Sequence, residues 1–208
     1  MKRRVVPTAL FVLSLLCMNT FAATQQSAEQ VVREAVQQAT AKLNAEKDQL
    51  KAHPDRIYDL IQSLVVPYFN FPLISRLVLG KGTWEGATDQ QKKEFIHEFT
   101  TLLVRTYAKA LQEYSDQNVV FLPANNSPGS KLVEIKTEVT GKASSKKTPI
   151  NYRMYLSDGN WKVLDLVVDG ISLVNSYRGE YASIVRQDGL DGLIAKMKEK
   201  NAAPTAPQ

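Results

Sequence analysis

The chain has 208 residues, with 26 lysines and arginines against 21 aspartates and glutamates and a formal charge of +5 at pH 7. Three of the basic residues and none of the acidic ones lie in the first 22 positions, so the remaining 186 carry 23 basic and 21 acidic side chains. This balance lacks the basic stripe of a nucleic-acid-binding protein, and the length corresponds to one domain.

The first 22 residues have the three parts of a secretory signal peptide. Basic residues at positions 2–4 precede an apolar run over positions 9–18, and small residues follow at Ala22 and Ala23. The pattern predicts export, with cleavage after Ala22 or Ala23. A retained anchor is disfavoured because the run is shorter than the roughly 20 residues that span a bilayer. Cys17, the only cysteine, lies in this run, so the rest of the chain has no thiol.

Two helices are predicted at the start of the exported chain. Ser27 followed by Gln30 is a capping-box pattern, and apolar residues at helical spacing continue from there to Leu43. A second helix is expected to begin after Pro54, since proline suits a first helical turn, and to end near Pro67.

A short helix and the longest helix follow. The short helix is expected over residues 71–78 and to stop at Gly80, because glycine favours helix C-termini. Thr88 with Gln91 is a second capping-box pattern. It opens the longest predicted helix, whose apolar stripe covers residues 95–114.

Beyond residue 118 the apolar residues alternate, which predicts β-strands. The expected strands cover residues 119–122, 133–139, 150–156 and 161–168, with an extension over 171–174.

Two local signals in this region predict how the sheet turns and bends. Asp158-Gly159 predicts a tight hairpin turn. Apolar parity reverses within residues 161–168, so a β-bulge near Leu164 is expected to bend the sheet. The stretch 142–147, which lies between two of these strands, is predicted to be a charged, exposed loop.

The C-terminal part is expected to be helical and then disordered. Two short helices are predicted over residues 177–200, joined around Asp188-Gly189. Residues 201–208, with two prolines and three alanines, are predicted to be a disordered tail. The predicted organisation is therefore a signal peptide over 1–22, one domain over 23–200 and this tail.

The sequence offers few candidates for catalysis. His53 and His97 are expected at the surface, and no spacing of His, Asp or Glu resembles a metal site. Asp165 and Asp169 lie on or beside an apolar strand, where a desolvated carboxylate could act as a general base. The alternative, which we favour, is a structural role, in which the aspartate is hydrogen-bonded to the backbone or to an arginine.

The large apolar residues suit either a core or a pocket. Three helices and a curved sheet each offer a wide apolar face, which is enough to surround a hollow interior. Any single position could equally be ordinary core.

Several motifs spread over nearly the whole exported chain point to one family. They are VPYFNF at 66–71, SRLVLG at 75–80, LVRTY at 103–107, GNWKVLD at 159–165, VDGISLV at 168–174 and GLDGL at 189–193. With these motifs the chain resembles the MlaC-type proteins of the toluene-tolerance family.

The resemblance implies a fold and a function. The fold would be an α+β, NTF2-like cone, in which several helices cover a curved antiparallel sheet and enclose an apolar pocket. The function would be non-catalytic carriage of phospholipid through the periplasm, with acyl chains buried, the head group exposed and no cofactor. Its partners would be an inner-membrane ABC transporter with an MlaD-type ring and an outer-membrane MlaA-type lipoprotein associated with a porin. The role would be maintenance of outer-membrane lipid asymmetry by a monomeric carrier.

Inward-facing strand parity and the helix stripes select the residues expected to contact acyl chains. These are Leu64, Tyr68, Leu77, Phe95, Phe99, Leu103, Tyr107, Val133, Ile135, Tyr152, Met154, Leu166, Val168 and Leu173. Arg76, Arg105 and Arg153 are candidates for the head group or for docking. The competing hypotheses are a cavity enzyme that uses Asp165 or Asp169 and an envelope adaptor without a pocket.

Overall fold

A computed structural model describes residues 26–114, 117–141 and 147–203. The predicted signal peptide, most of the predicted charged loop and the end of the predicted tail lie outside these residues. The helices are α1 (Ala28–Ala45), α2 (Lys47–Ala52), α3 (Arg56–Leu64), α4 (Phe71–Gly86), α5 (Asp89–Tyr114) and α6 (Leu173–Ala202). The strands are β1 (Asn118–Leu122), β2 (Leu132–Thr140), β3 (Lys147–Ser157), β4 (Asn160–Val168) and β5 (Ile171–Ser172).

Both predicted capping boxes are confirmed. The Ser27 hydroxyl accepts a hydrogen bond from the Gln30 amide at 3.2 Å, and the Gln30 side chain accepts one from the Ser27 amide at 2.9 Å. Thr88 and Gln91 make the same reciprocal pair at 3.1 and 2.9 Å. Each pair satisfies two amides that the first turn leaves without a helical partner.

Glycines break two of the helices. Gly80 interrupts α4 with φ 75° and ψ 162°, and Gly189 interrupts α6 with φ 71° and ψ 178°. The predicted break at Gly80 is confirmed, but the prediction that the helix ends there is wrong, because helical residues resume after it and continue to Gly86. The predicted joint at Asp188-Gly189 is confirmed.

The ends of α6 extend the predicted segment in both directions. The helix begins at Leu173, four residues before the predicted start, because Ser172 caps it by accepting a hydrogen bond from the Asn175 amide at 3.1 Å. It continues to Ala202, two residues past the predicted domain boundary at Lys200. Asn201 is held there because its side-chain amide donates to the Glu98 carbonyl at 2.9 Å.

The five strands form one antiparallel sheet in the order β1-β2-β3-β4-β5. Asp158 (φ 50°) and Gly159 (φ 78°) form the predicted tight turn between β3 and β4, with both residues in the left-handed region. Arg153 pairs with Asp165 while Met154 pairs with Val163. Leu164 is therefore the extra residue of a β-bulge, as predicted.

The apolar core consists of three clusters. The helical cluster joins α4, α5 and α6 with Leu164 of the bulge. The N-terminal cluster joins α1, α2 and α3 with the second half of α5. The sheet cluster packs Ala28 and Val32 of α1 on Ile135, Met154 and Val163. The predicted α+β fold, with helices covering a bent antiparallel sheet, is confirmed. None of the helices in the described residues is long and apolar enough to cross a membrane.

Candidate functional site

A small apolar cavity lies where α4, α5, β4 and the start of α6 meet. Its volume is about 40 Å³. Its walls consist of apolar side chains and one carboxylate. The lining residues are Phe69, Phe71, Ile74, Phe99, Leu103, Leu164, Asp165, Leu166, Leu173, Val174 and Tyr177.

Stacked aromatic rings form the helical wall. The Phe99 ring meets the Tyr177 ring edge-on at 5.2 Å between centroids and stacks on Phe95 at 5.5 Å. Tyr181 packs against both phenylalanines. Such pairs contribute about 0.5–1.5 kcal/mol each beyond their buried area, so these contacts stabilise the wall.

The two tyrosines of this wall are held in the neutral form. Burial raises the pKa of the Tyr177 hydroxyl above its ordinary value, and a hydrogen bond with Tyr107 raises it further. Burial also raises the pKa of Tyr181, with the nearby Glu180 carboxylate as the next cause.

The β-bulge brings three consecutive residues of β4 to the cavity. In a regular strand, neighbouring side chains point to opposite faces. The extra residue at Leu164 disturbs this alternation, so Leu164, Asp165 and Leu166 all line the cavity.

Asp165 is buried, with 7% of its surface exposed, and both of its carboxylate oxygens are occupied. Oδ2 accepts hydrogen bonds from the Ser172 hydroxyl at 2.6 Å and from Arg153 Nη1 at 3.2 Å. Oδ1 accepts one from the Val174 amide at 3.0 Å. The interpretation of Asp165 as an aspartate bonded to backbone and to an arginine is confirmed. Asp169, by contrast, is exposed in the turn before β5, with φ 51°.

Phe69 joins the sheet to the helices. It packs against both the helical cluster and the sheet cluster, and its ring stacks on Phe71 at 5.7 Å. The Asn70 amide donates to the Val163 carbonyl at 3.1 Å, which fixes this segment against β4. We call the boundary marked by Phe69, Leu164 and Leu166 the cluster junction.

Four of the fourteen predicted acyl-chain contacts line the cavity: Phe99, Leu103, Leu166 and Leu173. Others lie in the neighbouring clusters, with Phe95 in the helical cluster and Leu64 in the N-terminal cluster. Four pack in or against the sheet cluster, namely Val133, Ile135, Tyr152 and Met154.

The remaining predicted contacts lie apart from the cavity lining. Tyr107 bonds to Tyr177, and Tyr68 donates its hydroxyl to Gln38 at 3.2 Å. Val168 is half-buried, and Leu77 is 39% exposed on α4.

Seven of the lining residues are not among the predicted acyl-chain contacts, although one of them, Asp165, is a carboxylate that the sequence offers as a candidate general base. They are Phe69, Phe71, Ile74, Leu164, Asp165, Val174 and Tyr177. Phe71 and Ile74 lie in the predicted short helix over residues 71–78, and Leu164 lies at the predicted β-bulge. A rule that bulge residues often lie at functional sites would have found Leu164.

The three candidate arginines lie in different environments. Arg105 donates to the Ala203 carbonyl and lies over the Tyr58 ring, and Arg153 pairs with Asp165. Arg76 is exposed on α4.

The described residues contain no group of three or more His, Cys, Asp or Glu side chains that could hold a metal ion. His53 and His97 are both exposed, as predicted.

The sheet, its helical cover and the apolar cavity define a mixed α+β protein whose candidate site is lined almost entirely by apolar side chains. A family model described as "MlaC protein" matches residues 33–199. The chain belongs to the MlaC family.

Two curated relatives and one solved structure support this assignment. "Toluene tolerance protein ttg2D" of Pseudomonas putida is 28% identical, over 88% of this chain and 87% of its own. "Intermembrane phospholipid transport system binding protein MlaC" of Haemophilus influenzae is 23% identical, over 93% and 91%. The phospholipid-binding protein from Ralstonia solanacearum, solved in complex with a phospholipid, is 26% identical. It aligns with a TM-score of 0.78 over 85% of this chain and 98% of its own.

Proposed function

We propose that this protein is a soluble carrier that holds the acyl chains of a phospholipid at the cluster junction. The observation that carries the proposal is an apolar cavity at this junction in a chain whose relatives are named for phospholipid binding and transport. Carriage needs a dry cavity and no covalent step, so no catalytic residue is required.

The energetics explain why a carrier is needed. A two-chain phospholipid has on the order of 30 methylenes, and exposing them to water costs roughly 20 kcal/mol or more at ~0.8 kcal/mol each. Unassisted passage of a lipid through an aqueous compartment is therefore negligible. Selectivity among chain lengths is expected to be loose, because one methylene changes the binding free energy by only about 1 kcal/mol.

Uptake of a chain requires the cavity to enlarge. An engineered apolar cavity that binds benzene has a volume of about 150 Å³, which is well above the 40 Å³ found here. We infer that the helical cluster moves away from the sheet cluster at the cluster junction. Each cluster can then keep its own packing while Phe99, Leu103, Leu166 and Leu173 come into contact with the chain.

The head group is expected to stay outside, with its phosphate near exposed cations. Arg76 is the strongest of the three candidates, because Arg105 and Arg153 already hold the Ala203 carbonyl and Asp165. The cavity lining itself contains no cation, which supports a head group outside the apolar interior.

In the cell, the proposed carrier works in the periplasm after removal of its signal peptide. It exchanges lipid as a monomer with an inner-membrane ABC transporter through an MlaD-type ring and with an outer-membrane MlaA-type lipoprotein and its porin. This exchange would maintain the lipid asymmetry of the outer membrane. The family membership and the wording of the Haemophilus name support this placement.

Native mass spectrometry of the exported protein, purified without detergent, tests the proposal. We expect added mass that matches intact phospholipid. Leu103→Trp should reduce the bound fraction at least several-fold, because the larger side chain fills the cavity. Leu111→Trp is the matched control, since Leu111 lies on the same helix and packs against the N-terminal cluster instead. A wild-type protein without lipid that also takes none from phosphatidylethanolamine vesicles would contradict the proposal.

A further inference from the structure

Asp165 connects the two walls of the cavity that face each other across the cluster junction. On β4 it stands between Leu164 and Leu166, which both line the cavity. Its carboxylate holds the Ser172 hydroxyl and the Val174 amide, which belong to the start of α6. Leu173, Val174 and Tyr177 form the α6 wall.

The hydrogen bonds at this point form a chain. Arg153 of β3 donates to Asp165, Ser172 donates to Asp165, and Ser172 in turn accepts from the Asn175 amide at 3.1 Å. The carboxylate therefore orients the residue that caps α6. A negative charge at a helix N-terminus is also stabilised by the helix dipole. We call this group the Asp165 clasp.

Just before α6 the chain is tied to β4 by a short backbone ladder, in which Ser172 pairs with Val167 and Ile171 with Val168. Asn175, Ser176 and Arg178 are exposed, and β5 is only two residues long. Charge-assisted hydrogen bonds are the strong ones, especially where water is excluded. Beside the backbone pairing of Ser172 and Ile171 with β4, the clasp is a charge-assisted side-chain link between the α6 wall and β4.

We propose that Asp165 is a positioning residue that sets how readily the α6 wall separates from β4, and thereby how fast phospholipid enters and leaves. This inference rests on the proposed function. Separation of the walls breaks the hydrogen bonds to Val174 and Ser172, and no covalent bond changes. In the loaded carrier the rest of the helical cluster stands away from the sheet while the clasp holds the start of α6 on β4, and the clasp opens only as lipid enters or leaves.

The test is the rate at which loaded protein transfers a fluorescent phospholipid to phosphatidylcholine vesicles. Asp165→Asn keeps the size of the side chain but removes the charge and one acceptor. We expect transfer about tenfold faster than in the wild type, the factor that corresponds to losing one charge-assisted hydrogen bond. Hydrogen exchange at the Val174 and Asn175 amides should accelerate in parallel.

Asp169→Asn is the matched control. Asp169 is an exposed aspartate four residues along, and its positive φ is tolerated by asparagine. It should leave both the transfer rate and the two amides unchanged. If Asp165→Asn does not fold, Arg153→Gln, which removes one donor from the same carboxylate, should change both measurements in the same direction.

The outcomes separate the inference from the function that it extends. A loaded wild type with unchanged transfer in Asp165→Asn, even if its melting temperature falls, would leave Asp165 a purely structural role and overturn the inference. A wild type that never carries lipid would overturn the proposed function first. Faster transfer in both Asp165→Asn and Asp169→Asn would indicate a general effect of surface charge and would also overturn the inference.

Discussion

The side chain of Ser75 is fully buried in α4, and its hydroxyl has no hydrogen-bond partner within the part of the chain that the structure describes. A buried hydroxyl without a partner loses its hydration and gains nothing in return. We predict that Ser75→Ala raises the free energy of unfolding by about 1 kcal/mol, measured by urea denaturation.

Thr137 provides the contrasting case. It is equally buried, but its hydroxyl donates to the Ile150 carbonyl at 2.7 Å. Thr137→Val should therefore lower the free energy of unfolding by about 1 kcal/mol. Equal effects of the two substitutions would contradict the assignment of Ser75 as the unsatisfied group.

The two buried tyrosines are expected to make the folded protein less stable at alkaline pH. The pKa values of Tyr177 and Tyr181 are raised in the folded state, whereas the unfolded phenols ionise near pH 10. Below about pH 10 the two tyrosines make their full contribution to the free energy of unfolding. Above that pH the unfolded chain releases phenolic protons that the folded chain retains, so this contribution falls as the pH rises. Tyr181→Phe should make the fall above pH 10 shallower.

Denaturation measured at a series of pH values checks this prediction. At neutral pH the phenylalanine variant should lie close to the wild type, because Phe retains the ring contacts with Phe95 and Phe99. Parallel curves for the two proteins above pH 10 would rule out Tyr181 as a source of the alkaline loss.

At the scale of the element, the breaks in α4 and α6 each depend on a glycine with positive φ. Gly80 has a backbone conformation that side chains other than glycine rarely adopt, and such strain costs of order 1–3 kcal/mol. Gly80→Ala should lower the free energy of unfolding by about that amount. Gly82→Ala, two residues on in helical backbone with open space around it, should raise it by about 0.5–1 kcal/mol. Both changes can be measured by thermal denaturation, and a stabilising Gly80→Ala would be contrary to the prediction.

Local signals explain which elements could be predicted. The caps at Ser27 and Thr88, the turn at Asp158 and the bulge at Leu164 each depend on a few neighbouring residues, so the sequence identifies them. The helix α2 was not predicted, because it buries a single apolar residue, Leu50, and shows no stripe. The resumption of α4 after Gly80 depends on packing that spacing does not encode.

The candidate site was harder to predict than the elements. Strand parity and helix stripes show which side chains face inward but not which of them meet. Phe99 and Leu166 lie at the cavity while Phe95 and Ile135 lie in closed packing nearby. The distinction depends on where the helical and sheet clusters join, which involves residues from distant parts of the chain such as Phe69 and Tyr177.

At the scale of the whole molecule, lipid binding and stability should be linked. A ligand that binds only the folded state stabilises it by RT ln(1 + [L]/Kd), or about 2.7 kcal/mol at a hundredfold excess over Kd. Delipidated protein should therefore melt at a lower temperature than protein reloaded with phospholipid. Equal melting temperatures, with bound lipid verified by mass, would mean that the unfolded chain binds lipid equally well.

Loading should also change the shape of the molecule at the cluster junction. Residues 26–208 contain no cysteine, so spin labels can be placed as desired. Labels at Leu77→Cys on α4 and Leu132→Cys on β2 use two exposed positions on opposite sides of the junction. We expect their distance distribution to shift to longer values on loading, because the helical cluster moves away from the sheet. A pair at Val120→Cys and Leu132→Cys lies within the sheet and should not move. An unchanged distance in the first pair with lipid bound would place the acyl chains elsewhere, because the 40 Å³ cavity cannot hold them without such a movement.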